Sequence, residues 1–393
     1  VLGRDGNDVY DLGDGDDRVS NNYGSDTIIG GAGVDTLDMW NNIGANQGTN
    51  IVFNSILASS YTGLATDLGT LTLSNQTAVI ESKTINGLST LSDGAYNFYK
   101  IKDGQGAFDY LYQDGSNPDF EQFFMTNYAD TFVGSNNSDT VFGYAGNDTI
   151  WAMDGNDSIY AGDGNDTIFG VSGNNLLEGG AGNDLIIGGR GNDTIRGISG
   201  NNTLYGKEGN NVITGGGFID IIYAGKGQDT IDGGAGIDTL RFDGGTQRVV
   251  VNLGSDTLTY DGGSTLIENR FINSWQNAGS NQTGTVTNIE NVDGTQFNDT
   301  IRGNNSINTI LAGAGDDYIY ASLGNDKYDG GAHSNGDWVD YSLVTTTSGV
   351  KIDINTQSNA VFTVGGTTYN QTLIDIENII QPNNARWAAK SGV

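Results

Sequence analysis

The sequence predicts an all-β protein built from short strands and tight turns, and three observations support this fold class. Of the 393 residues, 62 are glycine and only 2 are proline. Aspartate dominates the 48 acidic residues, whereas a helical protein would favour glutamate and contain few glycines. Aspartate and apolar residues also recur at a fixed spacing that fits neither an amphipathic helix nor an isolated strand. Mostly helical folds are therefore excluded.

The charge of the chain limits its partners. The formal net charge is −31 at pH 7, which repels nucleic acid and anionic membrane surfaces and attracts cations. No apolar run approaches the length of a membrane span. We therefore expect no nucleic-acid partner and no membrane insertion. Residue 1 is Val and the chain opens inside a repeat, so we expect it to be part of a longer or processed protein.

The repeat has a period of nine residues, and each copy places Asp or Asn two positions before an apolar residue. The first array contains Asp8, Asp17, Asp26 and Asp35. The second runs without interruption through Asp130, Asp139, Asp148, Asp157, Asp166, Asn175, Asp184, Asp193, Asn202, Asn211, Asp220, Asp229 and Asp238. The third contains Asp299, Asn308, Asp317 and Asp326, after which two extra residues precede Asp337. The apolar residues that follow are the expected core.

Units such as Gly179 to Ile187 (GGAGNDLII) are similar to the glycine-rich nonapeptide of RTX proteins, which binds calcium. The resemblance implies a right-handed parallel β-roll in three blocks interleaved with β-strand inserts, where each unit is one turn and one strand and two units complete a coil. It also implies Ca²⁺ ions between turns eighteen residues apart, with aspartates shared between neighbouring ions. Carbonyls and carboxylates form the hard oxygen cage that Ca²⁺ takes.

We therefore expect several bound Ca²⁺ ions, and every aspartate of the three arrays from Asp8 to Asp326 is a candidate ligand. The turns before Asp130 and Asp220 lack the expected glycine, so these two sites are discounted.

Three turns carry asparagine at positions 175, 202 and 211, and there the second glycine is replaced by Val171, Ile198 or Lys207. A β-branched residue resists positive φ, and lysine brings a cation near the metal position. We expect these turns to hold no ion or to hold one weakly. Two alternatives stay open, namely ligation through the asparagine amide oxygen and an asparagine ladder that satisfies the backbone.

The arrays divide the chain into six segments. These are a repeat block at 1–38, an aromatic β-rich insert at 39–127, the main repeat block at 128–241, a β-rich insert or cap at 242–297, a short repeat block at 298–340 and a C-terminal β-rich cap at 341–393. The last two inserts resemble each other, and we expect them to cap or flank the exposed ladder edges of a roll. The aromatic residues of the first insert fit a core or a binding surface, and a core is favoured.

Catalytic motifs do not occur in the sequence. It has no HExxH, no GxSxG and no phosphate-binding loop, and we interpret its one histidine, His333, as a solvated loop residue. We therefore expect no enzyme. Two function classes remain, an extracellular calcium-binding structural protein of the adhesin or surface-layer type and the calcium-folding and secretion module of an enzyme whose catalytic domain lies outside this chain.

The resemblance implies type I export and an extracellular location, secreted or on a bacterial cell surface. The secretion signal expected at the C-terminus is not clear in residues 386–393. Expected partners are calcium ions, together with copies of the chain itself or a cell-surface polysaccharide.

Overall fold

The structure is a computed structural model that describes residues 9–12, 15–20, 27–29, 36–38, 50–52, 96–102, 108–114, 122–134, 136–242, 248–254, 258–260, 264–266, 270–273, 282–344, 351–352, 359–382 and 386–387. These residues form an all-β fold, a parallel β-solenoid of about ten turns without a helix, which confirms the predicted fold class. None of them belongs to a helix that could span a membrane. The chain divides into two compact units, Val1–Leu185 and Ile186–Val393, here called the N-terminal and the C-terminal unit.

The N-terminal unit consists of short strands separated by glycine-rich turns. Its strands are β1 Val9–Asp11, β2 Arg18–Ser20, β3 Thr27–Ile29, β4 Thr36–Asp38, β5 Asn50–Val52, β6 Tyr96–Lys102, β7 Phe108–Asp114, β8 Gln122–Phe124, β9 Thr131–Val133, β10 Thr140–Phe142, β11 Thr149–Trp151, β12 Ser158–Asp163, β13 Thr167–Phe169 and β14 Leu176–Ala181. Most have three residues, because each nine-residue unit provides one turn and one strand.

Repeat strands two apart in sequence pair in parallel at a register of eighteen residues. In the N-terminal unit Val141 of β10 lies beside Ile159 of β12, and Ile150 of β11 lies beside Ile168 of β13. Successive strands therefore alternate between two sheets. Two nine-residue repeats complete one coil, as the resemblance implied.

The C-terminal unit has the same construction. Its strands are β15 Leu185–Gly189, β16 Thr194–Ser199, β17 Thr203–Lys207, β18 Val212–Gly217, β19 Ile221–Ala224, β20 Thr230–Ala235, β21 Thr239–Phe242, β22 Val249–Asn252, β23 Leu258–Tyr260, β24 Ser264–Leu266, β25 Arg270–Asn273, β26 Gln282–Thr287, β27 Asn291–Thr295, β28 Thr300–Arg302, β29 Thr309–Gly313, β30 Tyr318–Tyr320, β31 Lys327–Asp329, β32 Trp338–Asp340, β33 Lys351–Ile352, β34 Asn359–Val364, β35 Thr367–Ile374, β36 Asn378–Ile380 and β37 Arg386–Trp387. The first residue of β15 belongs to the N-terminal unit.

The apolar residues that follow the repeat Asp or Asn by two positions form the core of the N-terminal and of the C-terminal unit. In the second array these residues are Phe132, Val141, Ile150, Ile159, Ile168, Leu177, Ile186, Ile195, Leu204, Ile213, Ile222, Ile231 and Leu240, each at most 1% exposed. The predicted core is confirmed at all of these positions. Burying each of these side chains stabilises the folded state by about 1.5–3 kcal/mol relative to leaving it in water.

Residues 285–295, which lie within the predicted second insert at 242–297, follow the parallel ladders of the solenoid. Strand β26 pairs in parallel with β20, and β27 pairs in parallel with β21, so Val286 and Val292 extend the core and are fully buried. Residues 285–295 are thus a coil of the solenoid. Their alternating Thr and Val residues present an apolar side chain at the position that the repeat uses, although the glycines are missing.

The part that leaves the solenoid in each insert contains an antiparallel hairpin, and the second strand of the hairpin returns to a parallel ladder. In the second insert β25 and β26 form the hairpin, and β22 pairs with both β25 and β28. In the third, β35 pairs in parallel with β31 and antiparallel with β34. In the first, β7 pairs in parallel with β3 and antiparallel with β6.

Two aromatic residues of the first insert pack as the core interpretation predicts. Phe123 is 1% exposed, with its ring centroid 4.9 Å from that of Phe132. The ring of Phe124 stacks on Phe142 at 4.9 Å. Phe120 and the side chains of Tyr96, Phe98, Tyr99, Phe108, Tyr110 and Tyr112 lie outside the described part of the chain.

Candidate cation sites in the turns

Each aspartate of the second and third arrays stands directly before a strand and has its side chain buried. Asp148 is 2% exposed and Asp220 is fully buried, although aspartate is rarely buried unless it is paired. The buried set is Asp130, Asp139, Asp148, Asp157, Asp166, Asp184, Asp193, Asp220, Asp229, Asp238, Asp299, Asp317, Asp326 and Asp337. Asp17 is partly exposed, and the predicted ligands Asp8, Asp26 and Asp35 lie outside the described residues.

One carboxylate oxygen, Oδ1, connects neighbouring coils. It accepts the backbone N–H of the equivalent residue one coil earlier, from Asp148 to Asp166 at 2.7 Å and from Asp220 to Asp238 at 2.8 Å. The same contact joins Asp130 to Asp148, Asp139 to Asp157, Asp166 to Asp184 and Asp299 to Asp317. The aspartates therefore form rows at one-coil spacing.

The other oxygen, Oδ2, is buried without a hydrogen-bond donor in several of these side chains. Among the described residues this is true of Asp148, Asp166, Asp220, Asp238, Asp317 and Asp337. Leaving a buried polar atom unsatisfied costs about 1–3 kcal/mol, and more when the group is charged. A proton or a cation at Oδ2 would remove that cost.

The first glycine of the turn, five residues before the aspartate, leaves space beside Oδ2. A Cβ atom placed on Gly143 would lie 2.6 Å from Oδ2 of Asp148 and would contact the carbonyl oxygen of Ala161 in the next coil. Gly215 has the same relation to Oδ2 of Asp220, at 2.5 Å. Carboxylate and carbonyl oxygens thus converge on a space free of side-chain atoms, and Ca²⁺ takes such ligands at about 2.3–2.6 Å.

We call the glycine that leaves this space a cradle glycine. Four aspartates have both a cradle glycine and an Oδ2 without a hydrogen-bond donor. They are Asp148, Asp220, Asp238 and Asp337, whose cradle glycines are Gly143, Gly215, Gly233 and Gly330. Cradle glycines also precede Asp139, Asp184, Asp193 and Asp299, while alanine occupies the position before Asp157, Asp166, Asp229 and Asp317. Asp229 further receives donors from Asn211 and Gly225. The four coincident positions fit a cation best.

Side-chain ligands alone are too few for a metal. No group of three or more His, Cys, Asp or Glu side chains that could hold an ion occurs in the part of the chain that the structure describes. A cation in these turns would take most of its ligands from backbone carbonyls. This suits Ca²⁺, which binds six to eight oxygen atoms, and does not suit zinc, which prefers nitrogen and sulfur.

The expectation that the β-branched residues Val171 and Ile198 resist the left-handed backbone is wrong. Their φ angles are 69° and 78°, and Lys207 in the third asparagine turn has a φ of 64°. Left-handed backbone at non-glycine residues costs about 1–3 kcal/mol and persists where the surrounding structure imposes it. The stacked turns do so here, since Ser172 donates its N–H to the carbonyl of Met153 at 3.0 Å in the neighbouring coil.

The geometry of the turn before Asp220 also gives no reason to discount a calcium site there. Phe218 replaces the glycine two residues before Asp220, yet its φ is 75° and the cradle at Gly215 is intact. Tyr144, four residues before Asp148, likewise has a φ of 71°. The shape of these turns is therefore kept without glycine at every position.

Burial raises the pKa of the repeat aspartates. Burial raises the pKa of Asp148 to about 8. The N–H that Asp130 donates to this carboxylate lowers the pKa, whereas the charges of Asp130 and Asp166 also raise it. Burial also raises the pKa of Asp317 to about 7 and that of Asp238 to about 6. Rows of such carboxyl groups hold protons or a cation near neutral pH.

In two asparagine turns an amide nitrogen takes the position of Oδ2. A Cβ atom on Gly197 would contact Nδ2 of Asn202, which donates towards the carbonyl oxygen of Gly215 at 3.5 Å. Nδ2 of Asn211 donates to Oδ1 of Asp229 at 3.1 Å. The Asn202 donor therefore faces a carbonyl oxygen that a cation would otherwise bind, and the Asn211 donor adds to the ladder contact with Asp229. The geometry favours ion-free asparagine turns, with asparagine continuing the ladder.

At the two aspartates that directly follow inserts, a threonine four residues earlier donates hydrogen bonds to the carboxylate. The N–H of Thr126 donates to Oδ2 of Asp130 at 2.8 Å, and its hydroxyl lies 3.0 Å from both carboxylate oxygens. Thr295 contacts Asp299 in the same way, with an N–H distance of 2.6 Å. These contacts agree with the discount of Asp130 and argue against the predicted ligand Asp299. The shared sequence Thr-x-aromatic-x-Asp is a signal that the nine-residue period does not contain.

Asp326 is also engaged by protein donors. Its Oδ2 accepts hydrogen bonds from the hydroxyl of Tyr328 and from Nε2 of Gln371, both at 2.7 Å, and from the hydroxyl of Ser322 at 3.3 Å. These donors surround the oxygen that a cation would need, so the geometry argues against Asp326 as a ligand. A tyrosine at the core position is the sequence signal for this network.

Three acidic residues outside the arrays occupy the aspartate position. Asp337 precedes β32, and Glu290 and Glu377 precede β27 and β36 in the Ile-Glu-Asn elements at 289–291 and 376–378. Each stands two residues before a buried apolar residue, which is the signal that could have identified them. His333 is an exposed loop residue, and its Nε2 lies 3.0 Å from Oε1 of Glu377.

Comparison with known families agrees with the turn geometry. The family model described as the RTX calcium-binding nonapeptide repeat (4 copies) matches residues 22–38, 126–159, 133–168, 142–177, 169–204, 205–240 and 290–332. No curated protein matches the chain. The matched residues include every buried aspartate of the rows except Asp337.

Proposed function

Since the chain carries RTX calcium-binding nonapeptide repeats between residues 126 and 332, we propose that it is an extracellular structural protein whose solenoid folds on binding Ca²⁺. The observation that carries the proposal is the donor-free, buried Oδ2 that faces a glycine cradle at Asp148, Asp220, Asp238 and Asp337. Each of these oxygens is left unsatisfied by the protein. A calcium ion would supply the missing partner and neutralise the row.

The proposed location follows from calcium chemistry. Extracellular modules bind Ca²⁺ with dissociation constants of about 10⁻⁴–10⁻³ M, so such a chain stays unfolded in the cytosol and folds outside. Export in the unfolded state, by a type I route as the resemblance implies, is part of the same proposal. The proposed sites are those with a cradle or an open oxygen that no neighbouring side chain or backbone N–H occupies. Asp130, Asp299 and Asp326 are not among them, since Oδ2 of Asp299 accepts the N–H of Thr295 although Gly294 provides a cradle.

A structural role of the adhesin or surface-layer type is favoured over catalysis. The buried carboxylates that face glycine cradles suit a cation better than acid–base work, and strands β26 and β35 of the second and third inserts return to parallel ladders of the solenoid. The proposed partners are further copies of the chain or a cell-surface polysaccharide. Bound calcium would neutralise or bridge chains that otherwise repel each other at a charge of −31.

Light scattering coupled to size-exclusion chromatography tests this role. With millimolar Ca²⁺ the purified chain is expected to form assemblies, and in a chelator it is expected to be an expanded monomer. A compact, strict monomer at high Ca²⁺ would instead favour the alternative, the calcium-folding module of a secreted enzyme. Turnover of protein, ester or polysaccharide substrates by the purified chain would contradict both.

A further inference from the structure

The two Ile-Glu-Asn elements have the same relation to the repeat coil before them. The backbone N–H of Asp238 donates to Oε2 of Glu290 at 3.0 Å, and that of Asp337 donates to Oε2 of Glu377 at 2.8 Å. Within the repeats this N–H donates to Oδ1 of an aspartate, as from Asp220 to Asp238. Each glutamate therefore stands where the next aspartate of the row would stand.

The strand register explains why glutamate is used. Thr230 pairs with Thr285 and Thr239 pairs with Asn291, so Asn288 is equivalent to Gly233 and Glu290 to Asp238. The repeat takes five residues from the cradle position to the acid, whereas the Ile-Glu-Asn element takes two. The longer glutamate side chain spans the distance that the shortened turn no longer covers.

The shortened turn also keeps the cradle. A Cβ atom on Gly233 would contact the carbonyl oxygen of Asn288 and would lie 2.8 Å from Oδ2 of Asp238. A Cβ atom on Gly330 would likewise contact the carbonyl oxygen of Asp375 and lie 2.5 Å from the Oδ2 of the aspartate in that coil, Asp337.

The carbonyls of the two junctions are presented by the same backbone conformation. Asn288 and Asp375 both adopt left-handed backbone, with φ of 51° and 46°. Oδ2 of Asp238 and of Asp337 is fully buried and has no donor among the described residues. These two oxygens thus point to a missing partner at each junction.

We propose that each Ile-Glu-Asn element completes a divalent-cation site with the last repeat turn, the first from Asp238, Asn288 and Glu290 and the second from Asp337, Asp375 and Glu377. The carboxylates and the backbone carbonyl supply the oxygen ligands that Ca²⁺ accepts. The inference rests on the proposed calcium binding, and it adds to the sites at Asp238 and Asp337 the ligands that the Ile-Glu-Asn elements supply. These two sites therefore lie at the junctions and not between two nonapeptide repeats.

The two junctions differ in one neighbour. Oε1 of Glu377 already contacts the imidazole of His333 at 3.0 Å, whereas the donor to Glu290 is the backbone N–H of Asp238. The imidazole thus occupies an oxygen of Glu377 that the ion would otherwise bind. The first junction is therefore expected to bind Ca²⁺ more tightly than the second.

Ion counting on the full chain with Ca²⁺ as the only added metal tests the inference. Glu290→Gln keeps an acceptor for the N–H of Asp238 but removes the charge, and it is expected to lower the affinity for one ion at least tenfold, so that one ion per chain is lost at limiting Ca²⁺ in native mass spectrometry. The double variant with Glu377→Gln is expected to lose two. Glu208→Gln is the matched control, because Glu208 is exposed and contacts Lys226.

A second variant changes the aspartate of the junction instead of the glutamate. Asp238→Asn keeps Oδ1 as the acceptor for the N–H of Asp220 but places an amide nitrogen in the cradle, so it is expected to remove the same ion even if Glu290→Gln folds poorly. Gly217→Ala, whose nearest atom is 4.0 Å away, is expected to retain the ion. If the variants bind as many ions as the wild type with equal affinity, the junction sites are refuted and the repeat sites at Asp148 and Asp220 stand. If the wild type binds no Ca²⁺, the proposed function itself fails.

Discussion

The backbone N–H of Asp220 donates to Oδ1 of Asp238 at 2.8 Å, while Oδ2 of both aspartates is buried without a donor. The two oxygens of one carboxylate therefore have different roles. Oδ1 belongs to the backbone ladder and is satisfied by the protein. Oδ2 faces a glycine cradle and is satisfied only by something that the protein does not supply, which makes the folded state dependent on a proton or a cation.

Asparagine substitution at Asp220 tests the role of Oδ2. Asp220→Asn retains an oxygen for the N–H of Asn202 but places an amide nitrogen in the cradle, as Asn202 does naturally. We expect a folded protein that binds one ion fewer. Isothermal titration with Ca²⁺ measures the number of sites.

Asp326→Asn is the control for this substitution. Its Oδ2 already accepts hydrogen bonds from Tyr328 and Gln371, so the ion count is expected to stay the same while stability falls by about 1–3 kcal/mol. Loss of an ion in Asp326→Asn with none lost in Asp220→Asn would reverse the assignment of the two aspartates.

The reverse substitution is expected to create a site. Asn202 lies at the cradle of Gly197 and next to the carbonyl of Gly215, so Asn202→Asp supplies a carboxylate oxygen where the amide nitrogen stands. One additional ion per chain is expected in native mass spectrometry at saturating Ca²⁺. An unchanged count, with calcium already bound beside Asn202 in the wild type, would favour ligation by the asparagine amide oxygen.

The dependence of stability on pH is expected to reverse when calcium is removed. Burial raises the pKa of Asp148 to about 8 and that of Asp317 to about 7, above the value near 4 of unfolded aspartate. A group whose pKa is higher in the folded state stabilises the fold when protonated, so this stability is fully present below about pH 4 and is lost as pH rises towards 8.

In the calcium-loaded protein the same carboxyl groups are ionised, and protons compete with the ion. Its stability is therefore expected to fall as pH falls. Thermal melts in EDTA and in Ca²⁺ between pH 4 and pH 8 measure both trends. Parallel pH profiles in the two conditions would show that the raised pKa values do not belong to the calcium ligands.

Much of the fold could be predicted from the nine-residue spacing. The spacing identified the core because a residue that recurs at one position of every unit lies on one face of a stacked ladder. The positions of Phe132 and Leu240 follow from it directly. The coil formed by residues 285–295 could not be delimited in this way, because its glycines are absent and only Val286 and Val292 keep the pattern.

The candidate sites were less predictable than the core. Spacing does not distinguish an aspartate whose Oδ2 is open from one that a neighbour occupies, and the donors to Asp299 and Asp326 come from Thr295 and Gln371. Gln371 is forty-five residues from Asp326 in the sequence, so only the strand pairing brings them together. Backbone angles imposed by stacked turns, as at Val171, were also missed, because a residue's own preference was considered without its neighbours.

Far-ultraviolet circular dichroism of the full chain, with thermal melting in excess EDTA and in millimolar Ca²⁺, tests the central claim that calcium holds this solenoid together. Without the ion, and at a pH of about 8 or above where the buried aspartates ionise, their rows stand at one-coil spacing with nothing to offset their repulsion, so both conditions are compared at that pH. The predicted result is loss of the β-signal in EDTA and its recovery when Ca²⁺ is added in excess. An unchanged spectrum and an unchanged melting temperature in EDTA would contradict the account.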